Sequence, residues 1–203
     1  MSKSHENPSE KTHIRLSDSR YAVEFNVKFP IVHKQIPGWE EINPLLEKGI
    51  RSVGDKQKRS TNVKADMTDT RMWESNQPAH EQFEIICKYA LELCLASSPP
   101  QTVKHLRLAV TDCWGVVYRK DEFTQQHDHW PALWSFGYYI NVSPDCAPIV
   151  FPDANHAVQP KNGMMCLFPG WISHYVPKQQ SNQDRVMLAG NITHLFGATA
   201  RSS

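Results

Sequence analysis

The sequence predicts a mainly β fold with flanking helices, built as a two-sheet jelly roll. From residue 105 onward, short apolar runs alternate with Pro, Gly, Asn and Asp, a pattern typical of β-rich chains. The 14 prolines also fit a loop-rich β architecture better than a helical bundle. The candidate strands cover residues 105–119, 133–142, 147–151, 156–159, 163–168, 173–177 and 184–193.

The first half of the chain predicts the flanking helices. Residues 78–98 carry apolar positions at helical spacing and give the clearest helix, and 38–50 predict a shorter one, with Pro44 interrupting it or starting a turn. Residues 21–29 alternate as a half-buried strand does, whereas 54–76 are polar and predict an extended connection.

Domain organisation follows from length and composition. Residues 1–18 are polar and aperiodic, which predicts a disordered arm. Residues 19–203 suit a single domain, with the jelly roll at about 104–194.

Charge and cysteine usage bear on the binding partners and the cellular compartment of the protein. Lys and Arg number 22 against 21 Asp and Glu, so no bulk field attracts nucleic acid or a membrane. The five cysteines form no CxxC pair, and the N-terminal residues lack an apolar signal core. No apolar run approaches the roughly 20 residues that span a bilayer. We therefore expect a cytoplasmic, soluble protein.

Three histidines are candidate metal ligands. His127 and His129 are two residues apart, so on an extended backbone they share a face and Asp128 points the opposite way. His174 follows a Phe-Pro-Gly-Trp turn and is placed to join them. Three protein ligands with open coordination positions are typical of catalytic sites. The spacing alone leaves open that these are ordinary surface histidines.

The order of motifs around these histidines resembles that of a known family. Ser135, Gly137, Tyr138 and Tyr139 follow the histidine pair, and the later motif comprises Gly163 to Pro169, Trp171, His174, Arg185 and Asn191. Trp114 to Phe123 matches the strand and turn that precede the pair. From about residue 24 to 194 the chain resembles the Fe(II)- and 2-oxoglutarate (2OG)-dependent oxygenases, specifically a small bacterial and phage subgroup related to prolyl hydroxylases.

The resemblance implies a cupin-like double-stranded β-helix and a role for each motif residue. His127, His129 and His174 would bind Fe(II), which leaves positions for 2OG and O2. Arg185 and Tyr139 would hold the far carboxylate of 2OG. Asn141 is expected on the same face as Tyr139, lining the same pocket.

Two positions depart from the family pattern. His129 stands where most relatives have a carboxylate ligand, so Asp128 remains an outside candidate. Met187 stands where relatives often have Ser, which removes one hydrogen bond expected to the co-substrate.

The resemblance implies hydroxylation of a C–H bond with release of succinate and CO2. The substrate would be a protein residue, a prolyl residue being one candidate, or a small metabolite. One alternative is a three-histidine iron dioxygenase that uses no 2OG. Another is a non-catalytic jelly-roll module whose histidines are structural or bind zinc. The expected partner is a small-molecule co-substrate, without nucleic acid or membrane; the oligomeric state is left open.

Overall fold

The computed structural model describes residues 29–103 and 106–195. The predicted arm at 1–18 and nearly all of the predicted strand at 21–29 lie outside these residues. The helices are α1 (Trp39–Val53), α2 (His80–Ser97) and α3 (Pro100–Val103). The strands are β1 (Val32–Gln35), β2 (Val63–Lys64), β3 (Asp66–Met67), β4 (Leu108–Tyr118), β5 (Phe123–His127), β6 (Trp134–Asn141), β7 (Ile149–Phe151), β8 (His156–Val158), β9 (Met164–Pro169), β10 (His174–Val176) and β11 (Arg185–His194).

The strands form two antiparallel sheets. The major sheet has six strands in the order β1-β9-β6-β11-β4-β3, and the minor sheet has five in the order β2-β5-β10-β7-β8. Apolar side chains from both sheets meet in one core, with Val116 and Phe168 of the major sheet and Ile149 and Val176 of the minor sheet among them. The predicted fold class, mainly β with a jelly-roll sandwich, is confirmed.

A second core lies on the outer face of the major sheet, where α1 and α2 pack. Leu46, Ile50, Phe83 and Ile86 of the helices are fully buried there. Tyr138 belongs to this helix-facing core, whereas Tyr139 belongs to the core between the sheets. This opposite placement follows from the two-residue period of β6.

Helix α1 continues through Pro44, which neither interrupts nor starts it. Proline removes one backbone hydrogen bond from a helix. Burial of the helix face around Leu46 compensates, as does Asn43, whose side-chain amide donates to the carbonyl of Ile140 at 2.6 Å.

Four short strands of the structure were not predicted from the sequence. β2 and β3 have two residues each and lie inside the connection predicted at 54–76. β1 and β5 are mostly polar and carry no apolar alternation. Their pairing with β9 and β10 defines them as strands.

Among the described residues, no helix is both long enough and apolar enough to cross a membrane.

Gly163 precedes β9 and is predicted to be more sensitive to substitution than Gly38. Its φ is +74°, and an added Cβ would lie 2.2 Å from the ring of Trp39. Gly38 has nearly the same φ, +72°, but nothing within 4 Å. We expect Gly38→Ala to cost about 1 kcal/mol from backbone strain alone and Gly163→Ala about 3 kcal/mol from strain plus overlap. Urea unfolding of both variants measures the difference, and equal costs would contradict the overlap.

Candidate metal centre and co-substrate pocket

The pairing of β5 with β10 brings two of the histidines together. His174 and His127 are direct partners in this antiparallel pair, and their ring centroids lie 4.4 Å apart. His129 follows two residues after His127, and its backbone N–H donates to the carbonyl of Gly170 at 2.7 Å. One ring nitrogen from each histidine lies within 4.8 Å of the others. The three imidazoles therefore converge on a volume in which they could hold one metal ion.

Two of the rings are oriented by backbone carbonyls. Nδ1 of His127 donates to the carbonyl of Gln125 at 2.9 Å, and Nδ1 of His174 donates to the carbonyl of Ile172 at 3.0 Å. A proton on Nδ1 leaves the Nε2 lone pair free for a metal.

Burial keeps these imidazoles neutral. Burial, together with a smaller contribution from the nearby His127, lowers the pKa of His174 to about 3 and that of His129 to about 4. Burial also lowers the pKa of His127. Neutral imidazole is the form that binds a metal ion, so no proton has to leave at neutral pH.

The low pKa of His174 predicts acid sensitivity of the metal-free protein. An unfolded histidine has a pKa of about 6.5. Between about pH 6.5 and 3 the unfolded chain therefore binds a proton at this position that the folded chain does not, and stability falls as pH falls. We expect His174 to contribute a slope of up to about 1.4 kcal/mol per pH unit. Urea unfolding at pH 7, 6 and 5 should show a shallower slope in His174→Gln, and an unchanged slope would contradict this.

Arg185, the first residue of β11, is a buried cation without an acidic partner. It is 0% exposed and forms no ion pair within the described part of the chain. Its Nε and Nη2 atoms have no hydrogen-bond partner among the residues that the structure describes, and Nη1 donates to the sulfur of Met187 at 3.0 Å. Nε and Nη2 form one edge of the guanidinium, which matches the two oxygens of a carboxylate.

Tyr139 provides a third unpartnered group beside this edge. Its ring centroid lies 5.2 Å from the guanidinium carbon of Arg185, and within the described part of the chain its buried hydroxyl has no hydrogen-bond partner. Burial raises the pKa of Tyr139, so the phenol stays protonated and can donate. Buried polar groups are rarely left without partners in folded proteins. The three unpartnered donors therefore fit the far carboxylate of a dicarboxylate such as 2OG.

One pocket joins the two halves of this arrangement. His127, His129, His174 and Arg185 all line it, and it contains about 470 Å³ of empty space, part of it open to solvent. Met187 also lines it. This residue accepts a bond from Arg185 where the family pattern often has a serine donor.

Asn141 does not share the face of Tyr139. Val186 and Met187 of β11 pair with Asn141 and Tyr139, so Ile140 is an extra residue in β6. This bulge breaks the alternation. Asn141 is exposed, and its amide donates to the carboxylate of Glu47 in α1 at 3.0 Å. Contrary to the prediction, Asn141 is therefore not among the residues that line the pocket.

Asp128 lies outside the histidine group. Its side chain is exposed, and one carboxylate oxygen accepts the backbone N–H of Trp130 at 2.9 Å. The converging ligand atoms belong to His129 instead.

Two hydroxyl-bearing residues of the pocket wall were not predicted from the sequence. Tyr118 and Thr124 line it, and their hydroxyls lie 2.6 Å apart. The ring of Tyr118 also lies against Arg185, 4.7 Å from its guanidinium carbon. Alternation along β4 placed Tyr118 on the face of Trp114 and Val116, which was the available signal.

No family model matches the sequence, and no curated protein matches it either. Solved structures do resemble the fold. The match to a Pseudomonas putida prolyl-4-hydroxylase has a TM-score of 0.63 at 16% identity and covers 82% of this chain and 93% of that one. The match to the 2OG complex of a viral collagen prolyl hydroxylase from Paramecium Bursaria Chlorella virus-1 has a TM-score of 0.58 at 15% identity, covering 80% and 96%.

A third similar structure is HygX from Streptomyces hygroscopicus, which has nickel and 2OG bound. Its TM-score is 0.54 at 12% identity, and the match covers 81% of this chain and 83% of that one. At these identities the similarity shows a common fold. The chain therefore has the double-stranded β-helix fold of 2OG-Fe(II) oxygenases, prolyl hydroxylases among them.

Proposed function

We propose that this chain is an Fe(II)- and 2OG-dependent dioxygenase that hydroxylates a C–H bond. The observation that carries the proposal is a single pocket lined both by three converging neutral histidines and by a buried, unpaired arginine. The histidines fit a metal ion that keeps coordination positions open, and the arginine fits an anionic co-substrate. A histidine group alone would not need a buried arginine nearby, and a buried arginine alone would not need a metal site. Their presence in one pocket therefore supports a co-substrate that contacts both.

The proposed reaction converts R–H, O2 and 2OG into R–OH, succinate and CO2. Iron and 2OG, when bound, supply the oxidising chemistry. His127, His129 and His174 would hold the iron, and the carbonyls of Gln125 and Ile172 keep the rings of His127 and His174 in the required tautomer. Arg185 and Tyr139 would bind the far carboxylate and so orient 2OG toward the metal. Val116 is one of the apolar side chains that line the rest of the pocket.

Oxygen consumption and succinate formation test this proposal. Protein loaded with Fe(II) under anaerobic conditions, then given 2OG, O2 and ascorbate, should consume 2OG slowly even without a primary substrate and form one succinate per 2OG consumed. Ascorbate supplies the two electrons that the missing substrate would have provided. His127→Ala should abolish this consumption. Iron-loaded protein that neither binds 2OG nor forms succinate would show the proposal to be wrong.

The three-imidazole ligand set also favours a second candidate, an iron dioxygenase that uses no 2OG. Three neutral ligands leave the metal more positively charged than a set containing a carboxylate. This candidate leaves the Nε and Nη2 atoms of Arg185 without a role. Arg185→Ala separates the two, because it should abolish activity only if 2OG is the co-substrate.

The substrate class follows less directly. Two of the similar structures are prolyl hydroxylases, so a prolyl residue of a protein is one candidate. A small metabolite is the other.

A further inference from the structure

A second groove meets the metal centre. His127 and His129 line it as well as the co-substrate pocket, so the groove gives access to the histidine group. It contains about 740 Å³ of empty space, including space open to solvent. The polar residues along it are Thr61, Asn62, Thr70, Asp112, Asp128 and Asn191.

The described residues give this groove a negative charge. Asp112 and Asp128 contribute two carboxylates, and no described Lys or Arg lines the groove. Asp112 accepts the hydroxyl of Thr111 at 3.2 Å, and Asp128 accepts the backbone N–H of Trp130. Within residues 29–103 and 106–195 neither carboxylate forms an ion pair. A cation in the groove would meet two acceptors and no repelling side chain.

Trp114 gives an independent indication that a ligand completes this site. The side chain lines both the groove and the co-substrate pocket. The residue is 7% exposed, and its buried indole N–H has no hydrogen-bond partner among the described residues. A buried donor left unpaired costs about 1–3 kcal/mol. An acceptor atom of the bound substrate, separate from its cationic group, would remove that cost.

We propose that the groove binds a primary substrate with an ammonium or guanidinium group, recognised by Asp112 and Asp128, near the C–H bond to be oxidised. The inference rests on the proposed function, since it assigns the substrate of the same metal centre. The cation is carried either by a free amine or by a basic residue of a peptide. Both sources present the same chemistry to the two carboxylates.

Matched probe pairs test the recognition without turnover. The 203-residue chain, loaded with Mn(II) and 2OG, is titrated with cadaverine and its neutral counterpart pentane-1,5-diol, and with acetyl-lysine methylamide and acetyl-norleucine methylamide. Binding and broadening of the probe signals by Mn(II) are followed by proton NMR. We expect the cationic member of at least one pair to bind about tenfold more tightly than its neutral counterpart and to be broadened. The pair that shows the preference identifies the source of the cation.

Charge-neutral variants connect the preference to the two carboxylates. Asp112→Asn and Asp128→Asn keep the size of each side chain, and each is expected to weaken binding of the cationic probe about five- to tenfold. The matched control is Asp153→Asn, an exposed carboxylate outside the groove, which should leave binding unchanged. Thermal unfolding establishes that each variant is folded.

The outcomes separate this inference from the proposed function. Equal binding of cationic and neutral probes, or unchanged binding in both groove variants, would overturn the inference even if 2OG binds normally. Selective binding of the cation by protein that does not bind 2OG would support the groove assignment while contradicting the proposed function.

Discussion

Arg185→Met is expected to lower the affinity for 2OG at least about 100-fold, because it removes two charge-assisted hydrogen bonds from a buried site. The same substitution should raise the free energy of unfolding of the ligand-free protein by about 1–2 kcal/mol. Arg185 is fully buried with no carboxylate partner among the described residues, and such a charge is costly to bury. Methionine fills similar space without that cost. Opposite changes in binding and stability are typical of a residue retained for a ligand.

Calorimetric titration of 2OG into Mn(II)-loaded protein measures the loss of affinity, and urea unfolding measures the gain in stability. Arg119→Met is the control, since Arg119 is exposed and pairs with Asp66 on the surface. It should leave 2OG affinity unchanged. If Arg185→Met kept 2OG affinity within threefold of the original, the co-substrate role of Arg185 would be wrong.

His174→Ala is expected to lower the affinity for Fe(II) or Mn(II) at least about 100-fold, because it removes one of three ligands. His174 is 5% exposed and its ring is held by the carbonyl of Ile172, so no other side chain can replace it without rearrangement. The substitution should leave the metal-free protein folded.

Anaerobic titration with Mn(II), followed by its electron paramagnetic resonance signal, measures this change. His156→Ala is the matched control, since His156 is exposed in β8 and outside the histidine group. Retention of metal by His174→Ala at the original affinity would indicate that the ion binds elsewhere.

The strands predicted correctly from sequence are mostly those that carry long apolar runs. β4, β6, β9 and β11 are largely buried on both faces, so their apolar composition is enough to predict them as strands. β2 and β5 are short and polar, and only pairing with residues distant in sequence defines them. Such pairing cannot be predicted from the residues of the strand alone.

The same distinction applies to the site. The spacing of His127 and His129 and the position of Arg185 could be recognised in the sequence, and the structure brings them into one pocket. The position of Asn141 could not be predicted, because one extra residue in β6 reverses the alternation and no local sequence signal marks the bulge. The acidic groove was missed because Asp112 and Asp128 are 16 positions apart and belong to different segments.

The direct pairing of His127 with His174 has a consequence for the minor sheet. Its strands have only two to five residues, and β10 has three. A metal ion bound to both histidines would be a cross-link between β5 and β10, additional to their backbone hydrogen bonds. Amide hydrogen exchange in these two strands should therefore slow on metal binding far more than in β4 and β11, whose pairing spans ten residues of β11. The metal would then contribute to the rigidity of one half of the sandwich as well as to its chemistry.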